Sequence, residues 1–201
     1  MDVAVFSTTS CTLRVIDNRT GETLSQTLAD EKSLAGVNGG YFDPNFAPIG
    51  LLISGGKIVA PLQRARLITG VLAASERGVK ILRIREFSRS QMVTAAVQCG
   101  PFLVDHHEAV HGLDSSHKAR RTFAATGTND RAWVGVSSEL SLAELATILA
   151  TTQLADDLKI QRALNLDGGS SSAFWFARAN GDAFSILEQK PVRDFVAVIP
   201  K

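Results

Sequence analysis

Three short segments of the chain carry residue types that could bind a polar ligand. The first is Asn38-Gly39-Gly40-Tyr41-Phe42-Asp43-Pro44. Its consecutive glycines allow positive φ angles and bring backbone amides close to a ligand, and Asn38 offers both a donor and an acceptor. Because Asn-Gly pairs also mark tight turns, these residues alone indicate a turn more readily than a binding loop.

The second segment, Leu164-Asn165-Leu166-Asp167-Gly168-Gly169-Ser170-Ser171-Ser172, is an apolar strand that ends in a carboxylate and opens into a loop of glycines and serines. Such a loop exposes amides and hydroxyls, which suit phosphate oxygens or sugar hydroxyls. No lysine follows the glycines as in a phosphate-binding P-loop, and Ser171 lacks the flanking glycines of a nucleophile elbow. A surface loop without function would have the same composition.

The third segment is Arg120-Arg121-Thr122. A guanidinium there could hold a phosphate through two parallel hydrogen bonds. Most arginines only solvate a surface, so this pair carries little weight by itself.

A competing motif, His107-Glu108-Ala109-Val110-His111, has the His-Glu-x-x-His spacing of zinc proteases, and His117 lies where a third ligand would be. On a helix the first two histidines would share a face and bind zinc. The motif follows Gly100-Pro101-Phe102-Leu103-Val104, which is typical of a strand. We therefore expect a hairpin that separates His107 from His111 along the strand axis and leaves no tetrahedral metal site.

The elements that must position these segments are mostly short apolar or alternating runs separated by turn residues, which indicate strands. They are 3–6, 12–16, 51–53, 71–74, 80–84, 100–104, 132–136 and 163–166. Ser141 and Glu144 form a capping box that predicts a helix over about 141 to 152, followed by a second short helical stretch. The pattern predicts an α+β fold, in which a mixed, mainly antiparallel sheet carries a few helices, as a single domain over residues 1–201.

Composition narrows the classes of partner. The 201 residues include 21 basic and 20 acidic side chains without a basic run, which argues against nucleic acid and anionic lipid and favours a small polar ligand. No apolar run is long enough to span a membrane, so we expect a soluble protein, periplasmic or secreted if a leader was removed and otherwise cytoplasmic. Cys11 and Cys99 are compatible with a disulfide or with two buried thiols. The oligomeric state stays open.

Six motifs in a common order resemble the phosphodiester glycosidase family, and the resemblance runs from about residue 36 to 199. The chain differs from the usual family pattern at Ser170, in the spacing from Arg121 to Gly127, and at Asp105-His106-His107. The matching motifs are Asn38-Gly39-Gly40-Tyr41-Phe42 with Gly50, Cys99-Gly100-Pro101-Phe102-Leu103-Val104, Arg121-Thr122 with Gly127, Leu142-x-x-Leu145-Ala146, Asn165-Leu166-Asp167-Gly168-Gly169 with Ser171, and Arg193.

The resemblance implies a hydrolase that acts on a sugar-1-phosphodiester, or on a glycan that carries one. It would cleave the bond between the anomeric carbon and the phosphate oxygen and release a sugar and a phosphomonoester. Asp167 is the expected catalytic carboxylate, with Asp43 as second choice, and Arg121 and Arg193 are the expected phosphate clamp. The expected substrate-binding residues are Asn38, Gly39, Gly40, Tyr41, Gly100, Thr122, Gly168, Gly169, Ser170 and Ser171.

No cofactor is expected to be required, although a divalent cation would be compatible with Asp167. Two alternatives stay open on the sequence. One is a carbohydrate- or phosphate-binding module without turnover, and the other is a zinc metalloprotease that uses His107, His111 and His117 as ligands.

Overall fold

A computed structural model describes residues 1–88, 92–151 and 159–201 of the chain. These residues form sixteen strands, two α-helices, α1 (Leu24–Asp30) and α2 (Leu142–Thr151), and two 3-10 turns, Ile84–Glu86 and Gly169–Ser171. The strands are β1 (Asp2–Ser7), β2 (Cys11–Asp17), β3 (Ala35–Asn38), β4 (Leu52–Ser54), β5 (Lys57–Ala60), β6 (Gly70–Ser75), β7 (Gly78–Arg83), β8 (Val93–Cys99), β9 (Phe102–Asp105), β10 (Glu108–Ala109), β11 (Ala119–Gly127), β12 (Arg131–Leu140), β13 (Ile160–Asn165), β14 (Phe174–Ala177), β15 (Ala183–Ile186) and β16 (Asp194–Pro200).

The strands assemble into three sheets. Sheet A has six strands in the order β1-β12-β11-β13-β9-β10, sheet B has five in the order β15-β14-β3-β16-β2, and sheet C has five in the order β5-β4-β8-β6-β7. All strand pairs among the described residues are antiparallel.

The predicted α+β class is therefore wrong, because the described residues form three antiparallel sheets with only two helices rather than one mixed sheet covered by helices. The apolar runs did not reveal this, since a strand buried between sheets and a strand buried under helices both read as continuous apolar sequence. After helix α2, the last third of the chain supplies four more strands, β13 to β16.

The main core lies between the sheets and takes buried side chains from all three, such as Val134 of sheet A, Val196 of sheet B and Leu72 of sheet C. Side chains alternate along a strand, so the neighbouring residues of sheet A point to its other face. There Phe123 and Trp133 pack against α2, while α1 packs on sheet B.

The predicted local elements are mostly confirmed. Helix α2 begins as expected, since the Glu144 amide donates to Ser141 Oγ at 3.2 Å and the Ser141 amide donates to Glu144 Oε2 at 2.8 Å. The second helical stretch predicted after it falls on residues 152–158, which lie outside the described residues. Cys11 and Cys99 are both free thiols.

The zinc motif adopts the predicted hairpin. Strand β9 pairs with β10, His107 lies in the turn between them, and His111 follows β10. In the described part of the chain, no three residues of ligand type come close enough to hold a metal ion. None of the described helices has the length and apolar character needed to cross a bilayer.

Candidate active site

The candidate site lies where β3 and β13 end and where β11 and β16 begin. Asn38 joins these segments. Its Nδ2 donates to the Asp167 carbonyl at 2.7 Å, and its Oδ1 accepts from Thr122 Oγ1 at 2.7 Å and from the Ala173 amide at 3.0 Å. Asn38 is only 1% exposed. Because these buried bonds occupy both ends of its amide, Asn38 positions the other segments rather than contacting a ligand.

The Gly39 and Gly40 amides, expected to face a ligand, are instead bonded to Asp194. The Gly39 amide donates to the Asp194 carbonyl at 2.8 Å, and the Gly40 amide donates to Asp194 Oδ1 at 3.0 Å. A Cβ on Gly39 would lie 1.9 Å from Asp194 Oδ1. Glycine is required at position 39 for this close approach rather than for an unusual φ.

Asp167 is half-buried and lies two residues after the end of β13. Its backbone amide donates to the Gly39 carbonyl at 3.0 Å, and its Oδ1 accepts from the Gly168 amide at 2.9 Å. Burial raises the pKa of this carboxyl, although the Ser171 hydroxyl, Lys190 and the Gly168 amide favour the charged form. The residue is thus held through its backbone and through one carboxyl oxygen, and its raised pKa favours the protonated form. A carboxyl with these properties is suited to proton transfer.

Arg121 is placed by a β-bulge at Arg120/Thr122, where β11 shifts register against β12. Bulges re-aim side chains next to functional sites. The Arg121 guanidinium is largely buried and donates from Nε to the Leu140 carbonyl at 2.9 Å and from Nη2 to the His117 carbonyl at 2.6 Å. Both acceptors are uncharged, and no carboxylate of the described residues pairs with it.

Arg193, the second arginine of the expected clamp, is differently engaged. Its side chain is 7% exposed and forms an ion pair with Asp17 of β2. Burial raises the pKa of Asp17, but Arg19 and Arg193 outweigh it and hold the pKa below its usual value. The charge of Arg193 is thus already neutralised, so this residue is suited to anchor β16 against β2.

Tyr41 and Gly100, both expected to bind substrate, are hydrogen-bonded to each other. The Tyr41 hydroxyl donates to the Gly100 carbonyl at 2.7 Å and accepts from Asn165 Nδ2 at 3.1 Å.

Asp43, the second choice for catalysis, instead closes its own turn by accepting from the Asn45 amide at 2.8 Å and the Ala47 amide at 2.9 Å. Its carboxylate therefore has a structural task in this loop.

The loop after Asp167 forms a 3-10 turn, Gly169–Ser171. Gly169 has φ +63° and open space around its Cβ position, whereas a Cβ on Gly168 would meet the Arg120 carbonyl at 3.0 Å. The Ser170 carbonyl accepts from the Gln189 amide at 2.8 Å. Ser171 is fully buried, and its hydroxyl makes no hydrogen bond of standard geometry within the described residues. The Cβ side of Gly169 is therefore open to a ligand, and residues 167–170 are all partly exposed.

Two residues of this region were missed by the sequence analysis. Asp194 is 1% exposed and Lys190 is an exposed cation whose charge acts on Asp167. The Lys190 Nζ also lies 5.1 Å from the centre of the Phe42 ring. Asp194 is the first residue of the apolar strand β16. A carboxylate beside an apolar strand was the signal that identified Asp167, and the same signal could have identified Asp194. A single exposed lysine carries no such signal.

The order of these elements along the chain agrees with a known family. The model of the phosphodiester glycosidase family matches residues 31–199. The chain belongs to this family. The match includes every site segment described above, from the Asn-Gly-Gly turn to β16.

Solved structures share the fold of this phosphodiester glycosidase family member. The catalytic domain of zebrafish N-acetylglucosamine-1-phosphodiester alpha-N-acetylglucosaminidase, auto-inhibited by its pro-peptide, superposes with a TM-score of 0.73 at 15% identity, over 100% of this chain and 83% of that one. A hypothetical protein from Synechocystis gives 0.62 at 15% identity, over 99% of this chain and 59% of that one. A protein of Burkholderia pseudomallei gives 0.63 at 14% identity, over 98% of this chain and 73% of that one. No protein of curated function matches the sequence.

The buried Asp194 of this family member should make its stability depend on pH. Burial raises the pKa of Asp194 to about 6, helped by the charges of Asp167 and Asp17 and opposed by the Gly40 amide and Arg193. Below its usual pKa the carboxyl is protonated in both folded and unfolded chains. As the pH rises through about 6 the folded chain must ionise it away from water, so stability is lost.

We therefore expect wild type to lose roughly 3 kcal/mol of stability relative to Asp194→Asn between about pH 4 and pH 7, because the shift is about two pKa units. Urea unfolding of both proteins across this range measures the difference. Asp182→Asn changes the same group on the exposed surface and is the matched control. Parallel pH profiles of wild type and Asp194→Asn would contradict the burial argument.

Proposed function

We propose that this chain hydrolyses a sugar-1-phosphodiester at the bond between the anomeric carbon and the phosphate oxygen. The observation that carries the proposal is the surroundings of Asp167, a half-buried carboxyl with a raised pKa beside the open Gly169 turn. Membership of the phosphodiester glycosidase family supports the same reaction.

Asp167 is the proposed acid–base or stabilising carboxylate. Cleavage at an anomeric carbon passes through an oxocarbenium-like state and consumes a water molecule, and both need a carboxylate at a defined position. The Asp167 backbone is held by Gly39 and Asn38 and its side chain by the Gly168 amide, so its carboxyl oxygens are pre-oriented. Asp43 is less suited, because its carboxylate is used in closing the 43–47 turn.

Arg121 is the proposed phosphate-binding cation. A buried charge without a counter-ion is costly, and an arriving phosphate would supply the missing negative charge. Two carbonyls fix the orientation of the guanidinium through Nε and Nη2, which leaves Nη1 for the ligand. Lys190 adds a second, exposed cation near Asp167. Neutralising the leaving phosphomonoester lowers the need for a protonated carboxylic acid at the leaving group.

Hydrolysis in ¹⁸O-labelled water tests the reaction. A panel of glycosyl methyl phosphodiesters is incubated with the full chain, and the methyl phosphate released is analysed by mass spectrometry. We expect turnover of at least one sugar and no ¹⁸O in the methyl phosphate, because the bond broken is on the sugar side. Label in the phosphate would identify a phosphodiesterase instead. Binding without product on the whole panel would favour a non-catalytic module.

Replacing Arg121 with lysine is expected to lower kcat/KM on the same substrate by roughly 100-fold, which corresponds to about 2.7 kcal/mol of transition-state stabilisation. A lysine cannot donate to both the Leu140 and His117 carbonyls and still present a planar fork to phosphate. The matched control is Arg19→Lys, an exposed arginine of the surface pair with Asp17. Steady-state kinetics measure kcat/KM of wild type and both variants. An Arg121→Lys variant as active as wild type would show that Arg121 does not bind the phosphate.

A further inference from the structure

A separate cavity lies at the opposite end of β11 and β13 from Asp167. Thr126 of β11 and Arg162 of β13 line this cavity. Arg162 and Asp167 are five residues apart, and five residues of extended chain span about 16 Å, which is the approximate separation of the two sites along β13. The cavity has a volume of about 340 Å³ and lies among the β6–β7, β9–β10 and β11–β12 turns. That volume is in the range of small-molecule sites.

Unpaired cations converge on this cavity. Arg77, Lys80 and Arg131 line it, and none of them forms an ion pair within residues 1–88, 92–151 and 159–201. Among the lining residues that the structure describes, Asp130 is the single carboxylate. The formal net charge of the whole chain is only +1, so the positive charge here is a local excess. Like charges around a concave surface attract anions into it.

Two further carboxylates near the cavity, Glu86 and Asp105, already pair with arginines. Arg162, which also lines the cavity, pairs with Glu86 at 2.5 Å and with Asp105 at 3.0 Å. Asp105 also pairs with Arg83 at 2.7 Å. These two acids therefore neutralise Arg162 and Arg83. The three cations named above, which we call the rim cations, have no ion-pair partner among the described residues.

Closed turns hold the rim cations. Arg131 follows a turn in which Asn129 and Asp130 have φ of 55° and 53°, and the Thr8 amide donates to the Asp130 carbonyl at 2.7 Å. On the other side, Arg77 precedes Gly78, whose φ of 109° closes the β6–β7 hairpin. The cations are thus presented from fixed backbone, which limits the entropy lost when a ligand binds.

We propose that this cavity binds a phosphorylated small molecule, with its phosphate between Arg77, Lys80 and Arg131. Aliphatic side chains of β7, Val79 and Leu82, also line the cavity and supply a surface for the organic part of the ligand. The basic residues surround a bounded cleft instead of forming a long stripe, which fits a small molecule rather than a nucleic acid. This site is independent of the Asp167 site and of the reaction proposed there.

Titration of the ¹⁵N-labelled full chain with inorganic pyrophosphate tests the proposal by nuclear magnetic resonance. We expect amide shifts to concentrate at residues 77–80 and 126–131. The triple variant Arg77→Ser, Lys80→Ser, Arg131→Ser should raise Kd at least about tenfold, because three cations are removed from one anion site. The control triple variant Lys57→Ser, Arg64→Ser, Arg66→Ser removes the same charge from other exposed positions and should change Kd less than about twofold.

Arg121→Gln separates the two sites, since it should leave the shifts at residues 77–80 and 126–131 unchanged. If the triple variant loses its native spectrum, the single variant Arg131→Ser gives the same comparison. Equal weakening in the two triple variants would show non-specific attraction and overturn the proposal. Shifts confined to residues 167–171, or no shifts, would also overturn it.

Discussion

Replacing Asp167 with asparagine is expected to lower turnover of a glycosyl methyl phosphodiester by about 10³-fold while leaving the fold intact, since a positioned acid or base contributes about 10²–10⁴-fold. Asparagine has nearly the same shape, and its Oδ1 can still accept the Gly168 amide that Asp167 accepts at 2.9 Å. The substitution removes the charge and the proton but not the contact.

Thermal melting beside kinetics makes this result interpretable. Burial raises the pKa of Asp167, so the neutral asparagine should melt no lower than wild type at neutral pH. Asp43→Asn is the matched control and should keep turnover within a few-fold, because Asp43 serves the 43–47 turn. Full activity of Asp167→Asn together with inactivity of Asp43→Asn would transfer the catalytic role to Asp43. An unfolded Asp167→Asn protein would make Asp167 a structural cap of its loop.

Replacing Gly39 with alanine is expected to destabilise the protein by about 3 kcal/mol or more, through overpacking in a buried site. The added Cβ would lie 1.9 Å from Asp194 Oδ1, and the Asp194 backbone carbonyl is 3.1 Å away. Relief would require movement of β16 or loss of the bonds from the Gly39 and Gly40 amides. Because the Gly39 carbonyl also holds the Asp167 amide, the variant should lose turnover along with stability.

Urea unfolding measures this cost, and Gly55→Ala is its control. Gly55 has φ +55° and no atom within 4 Å of its Cβ position, so alanine there should cost roughly 1 kcal/mol from backbone conformation alone. Combining Gly39→Ala with Asp194→Ala should destabilise less than the two single changes together, since the second removes the clashing carboxylate. A Gly39→Ala protein as stable as Gly55→Ala would show that this packing is not needed.

The sequence by itself determined the local features. Short apolar runs between turn residues located the strands, and Ser141 with Glu144 located the start of α2, because these signals act within a few residues. It also placed His107 in a hairpin, since the strand before it was apparent. The position of Asp167 after an apolar strand identified a carboxylate with a defined location.

Only the tertiary structure decided which of these groups remain free to act. The sequence alone does not distinguish Arg121 from Arg193 as a phosphate ligand. In the structure, Asp17, which is far away in the chain, neutralises Arg193, whereas the Arg121 guanidinium bonds only to carbonyls among the described residues. The Gly39 and Gly40 amides are likewise occupied by Asp194. Ion pairs, backbone hydrogen bonds and sheet assembly of this kind form between segments that are distant in the chain. Local sequence patterns therefore do not predict them. The same reason explains why apolar runs located the strands but did not show that they form three sheets.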